Sequence, residues 1–189
     1  YMVMPVGDTE IRNAGSGRGI IAGGAESLSS PYTISDRMQY ITISTTGNSI
    51  DFGNLSIARY YVRGTASSTR GIFAGGTVPG AVTNTIDYVT IASNGGASDF
   101  GDMSINRNGI AVFGNQTRGI LAGGYTTPTN TQTSLIEFVN IANVATTSDF
   151  GTLSERREIM AGFASPTRGI IAGGAQSATI TNLTADIQF

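Results

Sequence analysis

Along the chain, short apolar runs alternate with clusters of Gly, Ser, Thr, Asn and Pro, and no stretch longer than a turn or two places apolar residues at helical spacing. One region displays the elements this pattern predicts. Asn108 to Phe113 reads as a first strand and Arg118 to Ala122 as a second, which is apolar after its Arg and stops at Gly123-Gly124. A short continuous apolar run bounded by Gly predicts a strand buried on both faces. Leu135 to Ala142 combines alternation with β-branched and aromatic residues and predicts a third strand; Ser148 to Leu153 predicts a short fourth. The expected unit is a four-stranded antiparallel meander.

That unit recurs. Arg-Gly-Ile-x-Ala-Gly-Gly occurs at Arg18 to Gly24, Arg70 to Gly76, Arg118 to Gly124 and Arg168 to Gly174, a period of about 50 residues. Asp-Phe-Gly follows in register at Phe52, Phe100 and Phe150, and seven positions beyond each Phe stands Arg59, Arg107 or Arg157. These residues, with Arg18, Arg70, Arg118 and Arg168, are expected to be structural framework. The repeats run approximately 1–53, 54–101, 102–151 and 152–189, the last incomplete, within one repeat domain. The interval from the glycine doublet to the next strand aromatic varies, being 16, 12, 14 and 15 residues from Gly24 to Tyr40, Gly76 to Tyr88, Gly124 to Phe138 and Gly174 to Phe189. Variable length belongs on surface loops. The loops Ala25 to Arg37, Thr77 to Thr85, Tyr125 to Ser134 and Ala175 to Asp186 are therefore where specificity is expected, with Tyr32, Asp36, Pro79, Tyr125, Thr127 and Asn182 as candidate contact residues.

A unit of four strands cannot bury both faces alone, so neighbours must stack, and radial stacking gives a β-propeller. A parallel β-helix would need much shorter coils. Tyr1 to Val6 could complete the sheet of the last unit and close a four-bladed ring; a longer array, or a ring shared by two chains, fits the strand count equally. Gly7 stands where later units have Arg, which marks the first unit as atypical.

Composition narrows the chemistry. Only 13% of the residues are charged, 26 are Gly, and the eleven basic residues are all Arg, giving a net charge of −2 with no electrostatic footprint for nucleic acid. The expected role of the signature Arg residues is a forked guanidinium held against carbonyls or against a repeat carboxylate such as Asp51, Asp99 or Asp149. Without Cys or His, zinc signatures and the common nucleophile–base pairs are missing. Asp-Phe-Gly matches the metal-binding tripeptide of kinases in letters only, since no Lys accompanies it; it is read as a buried Phe beside a turn Gly. The glycine doublets lack Gly-Lys-Ser/Thr and are expected to permit close backbone approach. No Asp-x-Asp-x-Asp cluster suggests a cation site, no acid pair stands out for glycoside hydrolysis, and no cofactor is expected. No apolar run approaches a membrane span. The chain opens on Tyr1, so the lack of a leader pattern carries no information about export.

The order aliphatic strand, Gly-Gly, variable loop, aromatic strand, aromatic, Leu/Met-Ser-x-x-Arg resembles the kelch repeat of β-propellers. Here it is carried by Ile72-Phe73-Ala74-Gly75-Gly76, Ile86-Asp87-Tyr88-Val89, Phe100 and Met103-Ser104-Ile105-Asn106-Arg107. The family's outer-strand Trp is replaced by the Phe of Asp-Phe-Gly. The resemblance implies an all-β, kelch-like propeller of four-stranded blades. Copper oxidase chemistry, found in some relatives, is excluded by the absence of His and Cys. The wording Thr-Arg-Gly-Ile-x-Ala-Gly-Gly, with Ile-Asp-Tyr-Val-Thr-Ile-Ala and Ser-Asp-Phe-Gly, also resembles repeat arrays in virion structural and fibre-like proteins of tailed bacteriophages, especially those of cyanobacteria and other marine bacteria. That likeness implies a non-enzymatic virion component, a fibre, decoration or host-attachment module. It would dock to other virion proteins and to a host-surface glycan or protein, with homo-oligomerisation left open. The alternative expectation is an extracellular or cell-surface bacterial scaffold that binds proteins or glycans.

Overall fold

The computed structural model describes residues 17–27, 33–176 and 187–188, and the described residues are all-β with no helix. The first sheet is β1 (Arg18–Ser27), β2 (Thr33–Thr42) and β3 (Ile50–Asn54), in that order. Next come β4 (Arg63–Ala66), β5 (Arg70–Ala74), the short hairpin β6 (Thr77–Val78) and β7 (Ala81–Val82), β8 (Thr85–Thr90) and β9 (Ser98–Asp102). Strands β4, β5, β8 and β9 form an antiparallel meander, and β6 and β7 pair only with each other.

The third unit repeats this plan. It contains β10 (Arg107–Asn108), β11 (Ala111–Gly114), β12 (Arg118–Ala122), β13 (Tyr125–Thr126), β14 (Thr131–Gln132), β15 (Leu135–Asn140) and β16 (Ser148–Thr152). Strands β11, β12, β15 and β16 make the meander, while β10 leaves it to pair with the loop strand β13. The last unit comprises β17 (Ala161–Ala164), β18 (Gly169–Ala172) and β19 (Ile187–Gln188). Tyr1 to Val6 lies outside the described residues, and no closed ring of strands is present among those described.

The single strand expected over Asn108 to Phe113 is two strands. Gly109 between them has φ +60°, in the left-handed region, which turns β10 out of the meander before β11 begins. Tyr61 and Ile159 occupy the same position in the neighbouring units and take the same conformation, each at φ +56°. The position is a required corner whichever residue fills it, and a β-branched residue there is strained.

Sheets stack face to face in chain order, and each interlayer is one apolar cluster. Ile20, Met38 and Phe52 of the first sheet meet Val62, Phe73, Val89 and Ile91 of the second unit. Ile72, Ile86 and Phe100 then meet Ile110, Val112, Val139 and Ile141. Ala111 and Phe113 meet Met160 and Ile171, with the Phe113 ring lying between Gly162 and Gly169. Strand β11 packs against both β4 and β17, so the first strands of successive meanders adjoin. Sandwiching explains why β5 is apolar after Arg70: it is buried from Gly71 to Ala74, on both faces.

Asp-Phe-Gly lies inside the fourth strand rather than at a turn. Met38 pairs with Gly53 and Gln39 with Asp51, leaving Phe52 as the extra residue of a β-bulge; Phe100 and Phe150 are bulged identically. The bulge turns the ring into the interlayer, and the following glycine, at φ +127° in Gly101, completes it.

Replacing the exposed Ile159 with Gly removes the strain of a β-branched left-handed residue without emptying a packed site. Ile159→Gly is expected to raise the unfolding free energy by about 1 kcal/mol in urea titration. A loss of comparable size would show that the corner is not strained.

Candidate functional site

Each Leu/Met-Ser-x-x-Arg segment crosses from one sheet to the next, and Arg59 and Arg107 plug into the meander that follows. Arg59 is fully buried; its Nη1 donates to the Thr85 carbonyl at 2.9 Å, and its Nη2 donates to the Phe73 carbonyl at 3.3 Å and to Asp87 Oδ2 at 2.9 Å. Asp87, equally buried, also accepts from the Ser56 amide at 3.1 Å and the Ser56 hydroxyl at 2.7 Å. Arg107 repeats the arrangement: its guanidinium donates to the carbonyls of Gly123 at 2.9 Å and Leu135 at 3.1 Å and pairs with Glu137, which also accepts from the Ser104 amide. Burial pushes both guanidinium groups below the ordinary arginine range, and the adjacent carboxylate pulls each back up. Arg157 is also buried and pairs with Glu155 at 3.2 Å.

The backbone at the same residue joins the preceding sheet. The carbonyls of Arg59, Arg107 and Arg157 accept from the amides of Gly24, Gly76 and Gly124 at 3.0, 3.3 and 2.8 Å. The doublet glycines permit this approach: a Cβ on Gly75, at φ +63°, would stand 2.6 Å from the Arg107 carbonyl oxygen. One arginine therefore fixes its own meander through its side chain and the previous unit through its main chain.

The signature arginines work at the opposite end of the meanders. Arg18 lies over the Tyr40 ring at 4.2 Å and reaches into the next unit, its Nη1 donating to the Ile91 carbonyl at 3.1 Å and to Asn94 Oδ1 at 3.0 Å. Arg70 covers Tyr88 at 4.4 Å and donates to the carbonyls of Ile141 and Ala142 at 2.8 and 2.9 Å. Arg118 lies over Phe138, and Arg168 is exposed. The expected carboxylate partners do not take part. Asp51, Asp99 and Asp149 are exposed, and Asp99 and Asp149 accept instead from the amides of Gly101 and Gly151 two residues on, as short Asp side chains do beside a bulge.

The variable loops have fixed roots and divergent tips. The residue after each buried Arg pairs with the first loop residue of its own unit: Tyr60 with Thr77, Asn108 with Tyr125, Glu158 with Ala175. Beyond that root Pro79 caps the β6–β7 hairpin and is exposed, Thr127 is half-buried, and the half-buried Tyr125 turns its hydroxyl to Asn130 Oδ1 at 3.1 Å. Asp36 is no loop residue: it sits in β2, whose ladder extends further than the polar sequence suggested, and its carbonyl accepts from the Leu55 amide. Tyr32 and Asn182 lie outside the described residues. A concavity of about 550 Å³ opens at this loop end between Asn106, Thr126, Thr127, Thr131, Gln132 and Arg156. It offers hydroxyls, amides and one cation. Among the described residues no group of three or more acids could hold a metal ion.

The acids that complete the clasps, Asp87 and Glu137, were not singled out by sequence reasoning. The available signal was an acid directly before the third-strand aromatic in two units, against Gln39 and Gln188 in the first and last. The first unit, with Gln39, is also the one with Gly7 in place of the Arg.

These features define an all-β repeat protein whose stacked sheets are locked by buried arginines and carry variable loops at one end. No family model matches the chain, and no curated protein matches it.

Arg107→Met is expected to cost about 3–5 kcal/mol by leaving Glu137 buried without its partner. Adding Glu137→Leu should recover part of that loss, with a coupling of about 2 kcal/mol in a double-mutant cycle followed by urea unfolding. Strict additivity would mean that the two side chains do not act as a pair.

Proposed function

We propose that the chain is a non-enzymatic virion structural and adhesion module, a kelch-like β-propeller that presents variable loops for docking to neighbouring virion proteins or to a host-surface glycan. The observation that carries the reading is the division of labour at the loop end. Loop roots are tied to the framework by the residues beside Arg59, Arg107 and Arg157, while the tips differ in length, and one of them, in the Tyr125–Ser134 loop, lines a polar concavity of about 550 Å³ together with Asn106 and Arg156. Such a volume suits a small ligand, and its Thr hydroxyls, Asn106 amide and Arg156 guanidinium suit a hydroxylated one. Rigid roots lower the ordering cost of binding. Ordered face-to-face stacking, with β4, β11 and β17 adjoining, supports a radial arrangement with the first strands innermost.

Mass spectrometry of purified particles and of the cells that produced them tests the assignment. Peptides of this chain are expected at stoichiometric abundance in the particle band. Their confinement to the bacterial envelope or medium would overturn the virion assignment and favour a cell-surface scaffold.

A further inference from the structure

The residue just before each buried arginine is not fixed by the repeat: it is Ala58, then Asn106, then Arg156. Two of these positions, Asn106 and Arg156, line the concavity of about 550 Å³ at the loop end. The rest of the lining comes from Ser104 and Ile105 and from the third unit's own loop, with no contribution from the second unit's loop, which is described in full. The volume falls within the roughly 300–1,000 Å³ of small-molecule sites. The feature therefore belongs to one unit and arises where framework positions free to vary meet a variable loop.

Its polar groups fall into two sets. The hydroxyl of Thr129 meets those of Thr126 and Thr131 at 2.7 and 3.3 Å, and Thr126 also bonds to the Thr131 carbonyl at 3.0 Å, which braces the wall. Among the described residues the side chains of Ser104, Asn106, Thr127 and Ser134 make no hydrogen bond, so their donors and acceptors remain for a ligand. Arg156 is the one charged side chain in the lining, and it is exposed. The acids closest to it in sequence are engaged elsewhere. Glu155 Oε2 accepts from Arg157 at 3.2 Å and from Gln176, and Glu158 Oε1 accepts from Gln132 at 2.8 Å. Glu137, which accepts from the Ser104 amide, is sealed against Arg107.

We propose that this concavity binds an acidic sugar residue of a glycan. Its carboxylate pairs with the Arg156 guanidinium, whose forked donors match two carboxylate oxygens. Its ring hydroxyls bond to Asn106, Thr127, Ser104 and Ser134, and its C–H face rests on Ile105, which is 37% exposed. A single cation among uncharged groups matches a ligand with one negative charge; a phosphate monoester, with close to two, would stay half-compensated. The inference rests on the reading of the loop end as a ligand-binding face and names the class of ligand for it.

Calorimetric titration of the full chain tests this with oligosaccharides of glucuronate, galacturonate, mannuronate and N-acetylneuraminate, each beside its carboxyl-reduced, neutral counterpart. At least one acidic member is expected to bind, and its neutral counterpart to bind about tenfold or more weakly. Arg156→Gln should weaken the acidic member by a similar factor, and Asn106→Ala by several-fold. Both positions are exposed, and circular dichroism of each variant checks that the sheets are kept. Equal binding of the acidic and neutral forms, or acidic binding indifferent to Arg156→Gln, would overturn the proposal and leave the loop end a glycan site of another kind. Binding of no member would overturn it as well, while the particle mass spectrum decides the virion assignment independently.

Discussion

A guanidinium sealed between β-sheets is the constraint on which the architecture depends. Moving such a cation out of water costs roughly several kcal/mol unless hydrogen bonds and an opposite charge replace the lost hydration. Arg59 and Arg107 meet that demand with carbonyls from two strands and one carboxylate each. The carbonyl positions are set by strand register, so a meander slipped by one residue would turn the acid away and leave the cation uncompensated. The ion pair therefore acts more as a register lock than as a source of net stability, in keeping with the weak net contribution of buried pairs in general.

Register within a meander is converted into spacing between meanders by the same residue. Because the Arg carbonyl accepts from the preceding glycine doublet, the side chain cannot seat unless the previous sheet stands at the right distance. At the opposite end, the bulged Phe and the stacked Arg make a second attachment through apolar packing and cation–π contact. Two attachments at opposite ends hold each sheet against rocking. Beyond the arginine attachment the loops can change length without disturbing the stack.

Much of this was legible in the sequence, and for physical reasons. Arg118 to Ala122 announces a doubly buried strand because its composition leaves no polar face, and the Gly123-Gly124 stop marks where a backbone must approach closely. The repeat spacing separated framework from loop before any geometry was known. What remained hidden depends on three-dimensional convergence. Asp87 precedes its aromatic in a strand where alternation predicts one polar face, and nothing local reveals that this face meets a cation 28 residues upstream. The left-handed corner has no signature in the sequence because Tyr61 and Ile159 fill a position that only Gly109 advertises. Asp36 reads as loop because its neighbours are polar, although the β2 ladder runs through it.

The clasp also bears on how such a chain can change over generations. Arg59 and Asp87 lie within one period of the repeat, as do Arg107 and Glu137, while the first period has Gly7 and Gln39 and so lacks both members. Each cassette that carries the buried Arg thus contains its own countercharge, and what crosses its boundaries is hydrogen bonding, apolar packing and the outer arginine contacts. Recombination that duplicates, deletes or exchanges whole cassettes strands no buried ion. An array built this way can trade recognition loops as interchangeable parts and still close up its core.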